Sequence, residues 1–281
     1  MVNNNGQIIN SEDASISILN RGFNYGDAVF ETIKVSLGKV LFLEDHYFRL
    51  MASMRMLRME IPMNFTLEYI EKEILDLIKA NELIDKTNRV KLIVYRDSNG
   101  LYLPEKQYVK YIISSNALAD DFYQLQNDSY IVDLYKDHYV SPDLLSTLKT
   151  NNRIINVIGS IYAKENDLNN CFILNTQKQV IEALNGNVFL VKGNSIKTPP
   201  LSDGCVKGVM RKQIIDIVKL MPDFVLEEAS ISPFELQKAD ELFITNVITG
   251  IQPVSKYRKK EYTSKVAQNL LGKLNVKVRL G

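Results

Sequence analysis

The sequence predicts an α+β fold, in which helices are combined with a mixed or closed β-sheet. Strand-like segments run into one another through short turns, as in residues 29–43 around Gly38. Other strands are separated by segments with apolar residues at spacings of three and four, which is typical of helices. In the second half, strands at 171–175, 180–184 and 188–191 follow one another without an intervening helix. This succession favours an α+β arrangement over a doubly wound one.

The first half of the chain is predicted to form a small domain over residues 1–116. Its predicted elements are a hairpin-like start at 7–18, a turn-rich segment at 20–27, strands at 29–35, 40–43, 89–96 and 108–115, and helices at 44–59 and 66–81. Residues 117–128 lose all periodicity and are predicted to be an interdomain linker.

Residues 129–281 are predicted to form a larger second domain. Its predicted elements are strands at 129–135, 171–175, 180–184, 188–191, 224–227 and 241–245, and helices at 153–166, 209–220 and 262–274.

Composition excludes several classes of partner. The 281 residues carry 34 basic and 33 acidic side chains, and the resulting net charge of +1 is too small to attract nucleic acid or a membrane surface. No stretch approaches the roughly 20 apolar residues of a transmembrane helix, and the N-terminus lacks a signal-peptide pattern. Two cysteines and two histidines argue against a disulfide framework and a metal site. We therefore expect a reduced, cytoplasmic protein without a metal, a nucleic-acid partner or a membrane partner.

Two charged residues stand where chemistry could occur. Lys149 lies between a predicted strand and a predicted helix, where a lysine can act as a nucleophile or form a Schiff base. The alternative is an ordinary solvated lysine. Glu182 lies inside the apolar run 180–184, where a carboxylate needs a partner in order to stay charged. The alternative is a position on an edge strand.

Two further segments could bind an anion. In residues 198–211, two prolines and the glycines Gly204 and Gly208 precede a predicted helix, whose first amides could bind a phosphate. An ordinary helix start explains this segment equally well. In residues 240–254, a strand leads into a loop of Thr, Asn and Gly that could present donors to a phosphate or carboxylate, or could be a simple turn.

Six motifs stand in one order along the chain. They are Arg21-Gly-x-x-Tyr-Gly-Asp-x-x-Phe-Glu31, His46-x-x-Arg-Leu50, Lys149-Thr-x-Asn152, Glu182-x-x-x-x-Asn-x-Phe189, Thr198-Pro-Pro-Leu-x-x-Gly-x-x-x-Gly-x-x-Arg211 and Ala239-Asp-Glu-x-Phe-x-Thr-Asn246. This order resembles the class-IV, fold-type-IV family of pyridoxal-phosphate enzymes, which contains D-amino-acid aminotransferases, branched-chain aminotransferases and aminodeoxychorismate lyases. The resemblance implies a two-domain enzyme with a small N-terminal α/β domain and a larger C-terminal domain that binds pyridoxal 5'-phosphate.

The resemblance also implies roles for cofactor-binding residues. Lys149 is similar to the Schiff-base lysine, which moves a proton between the substrate Cα and C4′ of the cofactor. Glu182 would keep the pyridine nitrogen protonated, and Arg49 would contact the phosphate. The remaining implied cofactor contacts are Asn187 beside Glu182 and, around the phosphate, Val209, Met210, Asn246 and Val247. His46 would be a structural support.

The substrate pocket is implied to be lined by Tyr25 or Phe30, with Thr32, Lys34 and Arg96 as further candidates. Lys34 and Arg96 could bind a substrate carboxylate, or could be salt-bridged edge residues. Family members are homodimers with the active site near the subunit boundary, so the resemblance implies a homodimer.

No single branch of the family matches the sequence at every position. Ile154 stands where branched-chain aminotransferases place a tyrosine, and Leu101-Tyr-Leu103 stands where well-known D-amino-acid aminotransferases place an Arg-x-His pair. Thr32 matches a functional threonine of the lyases, but Lys34 and Leu101 replace lyase arginines. This balance favours a ping-pong transaminase that acts on a small amino acid, D-amino acids included, and a 2-oxo acid. The alternatives are an aminodeoxychorismate lyase, which forms 4-aminobenzoate and pyruvate, and a cofactor-binding homologue without turnover.

Overall fold

The computed structural model describes residues 1–125 and 128–280, and it divides into two compact units. Unit 1 comprises Met1–Phe122 with Lys149–Asn152, and unit 2 comprises Tyr123–Leu148 with Arg153–Gly281. The chain therefore returns to unit 1 for the short segment that contains Lys149. A division into consecutive domains does not anticipate this return, because it depends on a strand pairing between residues that are distant in sequence.

Unit 1 contains one six-stranded sheet and three helices. In chain order its elements are β1 (Val2–Asn4), β2 (Gln7–Ile9), α1 (Arg21–Tyr25), β3 (Ala28–Ser36), β4 (Lys39–Val40), α2 (Leu43–Met56), α3 (Leu67–Ala80), β5 (Asn88–Arg96) and β6 (Val109–Ala117). The strand order is β2-β1-β6-β5-β3-β4, and each neighbouring pair is antiparallel.

The side chains of β3 alternate between the two faces of this sheet, as the two-residue period of a strand requires. Val29, Ile33 and Val35 are buried in the core that the sheet forms with α2 and α3. Phe30 and Thr32 therefore lie on the opposite face. This alternation decides which residues of β3 can reach a ligand.

The predicted hairpin at 7–18 is wrong in its bounds. The hairpin consists of β1 and β2, joined by Asn5 and Gly6, which both have positive φ angles of 54° and 89°. An Asn-Gly pair favours this two-residue turn, so the signal was present in the sequence. Residues 14–20 form neither helix nor strand.

The first part of the predicted linker 117–128 is held by hydrogen bonds, whereas residues 126 and 127 lie outside the described residues. The amide of Leu118 donates to the carbonyl of Thr87 at 2.7 Å, and the Thr87 hydroxyl donates to Asp121 Oδ1 at 2.8 Å. These bonds attach the segment after β6 to unit 1.

Unit 2 contains two five-stranded sheets and four helices. Its elements are β7 (Ile131–Val140), α4 (Ile154–Glu165), β8 (Asn170–Asn175), β9 (Val180–Ala183), β10 (Asn187–Lys192), β11 (Ser195–Thr198), α5 (Val209–Val218), β12 (Val225–Glu228), α6 (Pro233–Lys238), β13 (Glu241–Asn246), β14 (Gly250–Pro253), β15 (Lys256–Tyr257), β16 (Lys260–Glu261) and α7 (Lys265–Leu280). The strand orders are β12-β11-β10-β13-β14 and β16-β15-β7-β8-β9.

Both sheets of unit 2 combine parallel and antiparallel pairs, which confirms the predicted α+β class with mixed sheets. The prediction missed the short elements β11, β14, β15, β16 and α6. The strands β15 and β16 have two residues each, which is too short to show a two-residue period, and β11 and β14 have four residues each. The six-residue helix α6 did carry a signal, because Ser232 and Glu235 form a capping box at its start.

Candidate functional site

Lys149 lies on a short extended segment that pairs with the beginning of β3. The amide of Phe30 donates to the carbonyl of Lys149 at 2.9 Å, and the amide of Asn151 donates to the carbonyl of Ala28 at 3.0 Å. Val29 and Thr150 form the antiparallel bridge between these two bonds. The Nζ atom of Lys149 lies 4.2 Å from the centre of the Phe30 ring. The backbone of the candidate lysine is therefore fixed by strand pairing, and its amine lies against an aromatic face.

The end of the Lys149 segment packs closely on Gly26. Gly26 caps α1 in a left-handed conformation with φ 65°, and a Cβ placed there would lie 2.2 Å from Oδ1 of Asn152. Glycine is thus required both by the backbone angle and by the contact. The amide group of Asn152 also lies 3.5 Å from the Gly26 carbonyl. Gly26 and Asn152, which stand in two separate motifs of the sequence, are therefore in direct contact.

The buried carboxylate of Glu31 is hydrogen-bonded to two basic side chains of α2, Arg49 and His46. Arg49 donates to Glu31 through Nε at 2.7 Å and also through Nη2, and Nδ1 of His46 lies 2.7 Å from Glu31 Oε2. Glu31 is 2% exposed. Burial alone would raise the pKa of Glu31, but the charge and hydrogen bonds of Arg49, with a further contribution from His46, lower this pKa to about 2. Glu31 therefore stays ionised and fixes the orientation of the Arg49 guanidinium.

Glu31 is absent from the predicted site residues, although it belongs to the first sequence motif. The reasoning used for Glu182 could have identified Glu31 as well. Glu31 is also a carboxylate within an apolar strand, where it needs a partner.

His46 shares the buried position of Glu31. Burial lowers the pKa of His46, the hydrogen bond and charge of Glu31 oppose this effect, and the positive charges of Arg49 and Lys149 add to the lowering. A neutral imidazole then donates from Nδ1 to Glu31. Among the described residues, Nε2 of His46 has no hydrogen-bond partner. The predicted structural role agrees with this position on the first turns of α2.

The face of β3 that points away from α2 and α3 carries three predicted substrate residues, Phe30, Thr32 and Lys34. Thr32 pairs with Lys91 on β5, and Nζ of Lys91 lies 5.1 Å from the centre of the Phe30 ring. Lys34 is 3% exposed, and burial lowers its pKa while the negative charges of Asp120 and Asp121 oppose that shift. Lys91 was not among the residues predicted from the sequence, because nothing in a single strand shows which residue of the neighbouring strand lies opposite.

The guanidinium of Arg96 is hydrogen-bonded to other residues of unit 1. It is 6% exposed, and its Nε donates to Asp27 Oδ2 at 2.8 Å. Its Nη atoms donate to the carbonyls of Leu57 at 2.6 Å and Arg58 at 3.1 Å, and to the side chain of Gln107. Of the two alternatives for Arg96, this geometry favours the salt-bridged residue over a ligand for a substrate carboxylate, because the donors of Arg96 are already bonded to protein acceptors.

The loop after β5 is attached to α1 through Arg21. Arg21 donates to Asp27 at 2.9 Å and to the carbonyls of Gly100 at 3.0 Å and Tyr102 at 3.1 Å. The ring of Tyr25, the other predicted wall residue, lies 5.7 Å from the ring of Tyr102. The loop therefore presents an aromatic pair beside α1.

In unit 2, the predicted carboxylate Glu182 is buried on β9. Its Oε2 accepts a hydrogen bond from the amide of Val206 at 2.9 Å. The neighbouring thiol of Cys205 is fully buried, and burial followed by the charge of Glu182 raises its pKa to about 12. The thiol is therefore un-ionised at neutral pH.

The predicted anion-binding helix α5 begins directly after Gly208, which is its N-cap and supplies no side-chain hydrogen bond. The first residues of the helix, Val209 and Met210, are buried. Asn187, on β10, donates through Nδ2 to the carbonyl of Val206 at 2.9 Å. Unit 2 thus brings Glu182, Asn187 and the start of α5 together around one turn.

The second predicted phosphate loop follows β13. Oδ1 of Asn246 accepts hydrogen bonds from the amides of Ile248 and Thr249, both at 3.0 Å. The carbonyl of Val247 accepts from the hydroxyl of Tyr123 at 2.9 Å. The Asn246 side chain therefore shapes its own loop, which leaves backbone groups as the candidates for ligand contact.

No group of three or more His, Cys, Asp and Glu side chains in 1–125 and 128–280 could hold a metal ion. Within the same residues, every helix is too short or too polar to cross a bilayer.

Comparison with known proteins places these observations in a family. A family model described as amino-transferase class IV matches residues 28–257. A protein of Methanocaldococcus jannaschii, whose name assigns it provisionally to the branched-chain-amino-acid aminotransferases, is 29% identical over 276 residues, which cover 98% of this chain and 94% of that protein. The aminodeoxychorismate lyase of Bacillus subtilis is 29% identical, with 94% of this chain and 89% of the lyase covered. The D-alanine aminotransferase of Listeria monocytogenes is 26% identical, with coverages of 89% and 85%.

Solved structures show the same fold. The branched-chain aminotransferase of Thermoproteus uzoniensis, solved with norvaline, superposes with a TM-score of 0.87 at 22% identity and covers 97% of this chain and 92% of its own. The branched-chain aminotransferase of Thermobaculum terrenum in its pyridoxal-phosphate form gives a TM-score of 0.85 at 22% identity, with coverages of 99% and 93%. The relatives are named for three different activities at nearly equal identity, so identity does not decide among these activities.

Proposed function

The chain belongs to the class-IV aminotransferase family and is an enzyme that uses pyridoxal 5'-phosphate, and from this premise we propose that it is a transaminase. It would move an amino group between a small amino acid, D-amino acids included, and a 2-oxo acid in two half-reactions. The observation that carries the proposal is the position of Lys149, whose amine lies 4.2 Å from the Phe30 ring on a segment fixed to β3.

The residues present fit the cofactor. Arg49 is a cation held in one orientation by the buried carboxylate of Glu31, which suits a phosphate group. The start of α5 has a glycine N-cap without a side-chain bond, and first-turn amides favour anions. Glu182 is a buried carboxylate that suits a protonated ring nitrogen. We assign Arg49 and the start of α5 to the phosphate, and Glu182 to the pyridine nitrogen.

The remaining cofactor contacts complete this assignment. The amides of Val209 and Met210 would donate to the phosphate, together with backbone groups of Asn246 and Val247. Asn187 would support Glu182 through Val206, to which both side chains are hydrogen-bonded.

When bound, pyridoxal phosphate supplies an aldehyde carbon that accepts the amine of the substrate and a protonated ring that accepts the electron pair left at Cα. Lys149 would hold the cofactor before the substrate arrives and, once its amine is released, would accept the proton from the substrate Cα. Glu182 would keep the ring nitrogen of the cofactor protonated.

The substrate would lie against the outer face of β3. Phe30 and Tyr25 supply aromatic surface, and the ammonium groups of Lys34 and Lys91 supply positive charge for substrate carboxylates. Arg96 is left out of this set because its guanidinium is committed to Asp27 and backbone carbonyls.

An aminodeoxychorismate lyase is the second candidate, and Thr32 favours it. Its hydroxyl lies on the same face of β3 as Phe30, two residues along the strand, where a lyase requires a threonine. The relative from Bacillus subtilis carries this activity at 29% identity. The homodimer and the cytoplasmic location implied by the sequence stay predictions.

The test is the visible absorption spectrum of the purified, cofactor-loaded protein before and after addition of D-alanine, D-glutamate or L-leucine. One of these amino acids should convert the yellow band of the bound cofactor to the colourless amine form, and an added 2-oxo acid should restore it. The Lys149→Ala variant should lose turnover by several orders of magnitude. If no amino acid changes the band and aminodeoxychorismate is cleaved, the lyase replaces the transaminase. Full activity of Lys149→Ala would refute both.

A further inference from the structure

The turn formed by residues 206–208 has most of its backbone polar groups engaged. The amide of Val206 donates to Glu182 Oε2 at 2.9 Å, and the amide of Lys207 donates to the carbonyl of Thr147 at 3.1 Å. The carbonyl of Val206 accepts from Nδ2 of Asn187 at 2.9 Å and from the amide of Gly208 at 2.8 Å. Val206 is thus held from both sides, by the carboxylate of Glu182 and by the amide of Asn187.

Asn187 also determines how closely the turn can approach the sheet. A Cβ placed on Gly208 would lie 1.9 Å from Oδ1 of Asn187, although the φ angle of Gly208 is −69° and suits any residue. The glycine is therefore required by the contact with Asn187 and not by its own backbone angle. Asn187 is 5% exposed and pairs with Thr245 on β13, so its side chain starts from a rigid position.

The turn separates two of the proposed cofactor contacts. Glu182 is bonded to the first residue of the turn, and α5 starts directly after its last residue. A ligand with a ring nitrogen at one end and a phosphate at the other needs a fixed separation between these two contacts. We infer that Asn187 is a positioning residue, which sets the separation between the Glu182 carboxylate and the first amides of α5 by holding Val206 and Gly208. This inference rests on the proposed roles of Glu182 and α5.

The inference predicts a selective defect. Asn187→Ala should weaken only ligands that use both ends at once, because each contact is still present but their separation is no longer fixed. Pyridoxal carries the ring without the phosphate, and inorganic phosphate carries the anion without the ring. A residue that merely stabilises unit 2 would weaken the binding of all three ligands alike.

The experiment is calorimetric titration of the apo protein with pyridoxal phosphate, pyridoxal and inorganic phosphate. For Asn187→Ala, the Kd of pyridoxal phosphate should rise at least tenfold, whereas the Kd values of pyridoxal and phosphate should stay within about twofold of wild type. Gly208→Ala keeps Asn187 but displaces the turn, and it should give the same selective loss. It also serves if Asn187→Ala does not fold.

Asn88→Ala is the matched control. Asn88 is a buried asparagine of unit 1, whose Nδ2 donates to the carbonyls of Leu83 and Lys86. Its removal should lower the unfolding temperature without changing the ratio of the pyridoxal phosphate and pyridoxal affinities.

An equal loss for all three ligands, or no loss for any, would overturn the positioning role of Asn187. A wild-type protein that binds no pyridoxal phosphate would instead overturn the proposed function.

Discussion

Replacement of Glu31 by glutamine tests the buried charge cluster of unit 1. The Glu31→Gln variant keeps the shape of the side chain but leaves Arg49 without its counter-charge in a buried position. Breaking such a pair by removing one partner costs about 3–5 kcal/mol of unfolding free energy. The lowered pKa of Glu31 gives a second value for this loss of unfolding free energy. A fall from 4.5 to about 2 corresponds to roughly 3 kcal/mol of stability at neutral pH, at about 1.4 kcal/mol per pK unit.

The pH dependence has a definite sign. The unfolded chain binds a proton at Glu31 below pH 4.5, whereas the folded chain does so only near pH 2, so this stability is present above pH 4.5 and is lost as the pH falls towards 2. His46 acts in the same direction. Its folded pKa is lowered from 6.5, so the unfolded chain gains a proton first as the pH falls below that value.

The assay is thermal unfolding of the apo protein at pH 7 and at a series of pH values down to 3. At pH 7, Glu31→Gln should lower the unfolding midpoint by roughly 6–12 °C, given about 2–4 °C per kcal/mol for a chain of this size. Its midpoint should also fall less between pH 5 and pH 3 than that of the wild type. Asp76→Asn is the control, because the ion pair of Asp76 with Lys72 is exposed and should contribute little. A midpoint for Glu31→Gln within 2 °C of wild type, with unchanged acid sensitivity, would refute the reasoning.

Two further predictions concern cations of unit 1. Lys91→Met should raise the KM for 2-oxoglutarate about tenfold, or roughly 1.4 kcal/mol, because one ammonium group near Phe30 is lost. The KM for pyruvate should stay within twofold of the wild-type value. Steady-state kinetics with both acceptors checks this prediction, and equal changes in the two KM values would contradict it. Arg96→Ala should lower stability by about 2–3 kcal/mol through loss of its charged hydrogen bonds to Asp27 and backbone carbonyls, with KM values near wild type. An unaltered unfolding temperature together with a large rise in KM would return Arg96 to the substrate site.

The elements and motifs that the sequence predicted depend on local chemistry. Thr66 caps α3 by accepting from the amide of Tyr69, and the apolar period of that helix was sufficient to locate it. The strands β3, β5 and β6 agree with their predicted positions within two residues, because each is nine residues long. The strands β11, β14, β15 and β16 escaped prediction because their pairing partners, and not their own composition, make them strands.

What the sequence by itself determined is the α+β class, the order of the motifs and the family to which they belong, since these follow from residue types and spacing along the chain. Only the tertiary structure decided which charges meet. Glu31 pairs with Arg49, 18 residues away, and Arg96 pairs with Asp27, 69 residues away. A charged residue in a strand shows that a partner is needed, but the identity of that partner depends on which strands and helices pack together. For this reason the sequence left open whether Arg96 binds a substrate or forms a salt bridge, and Glu31, which fixes the orientation of Arg49, was not among the expected site residues.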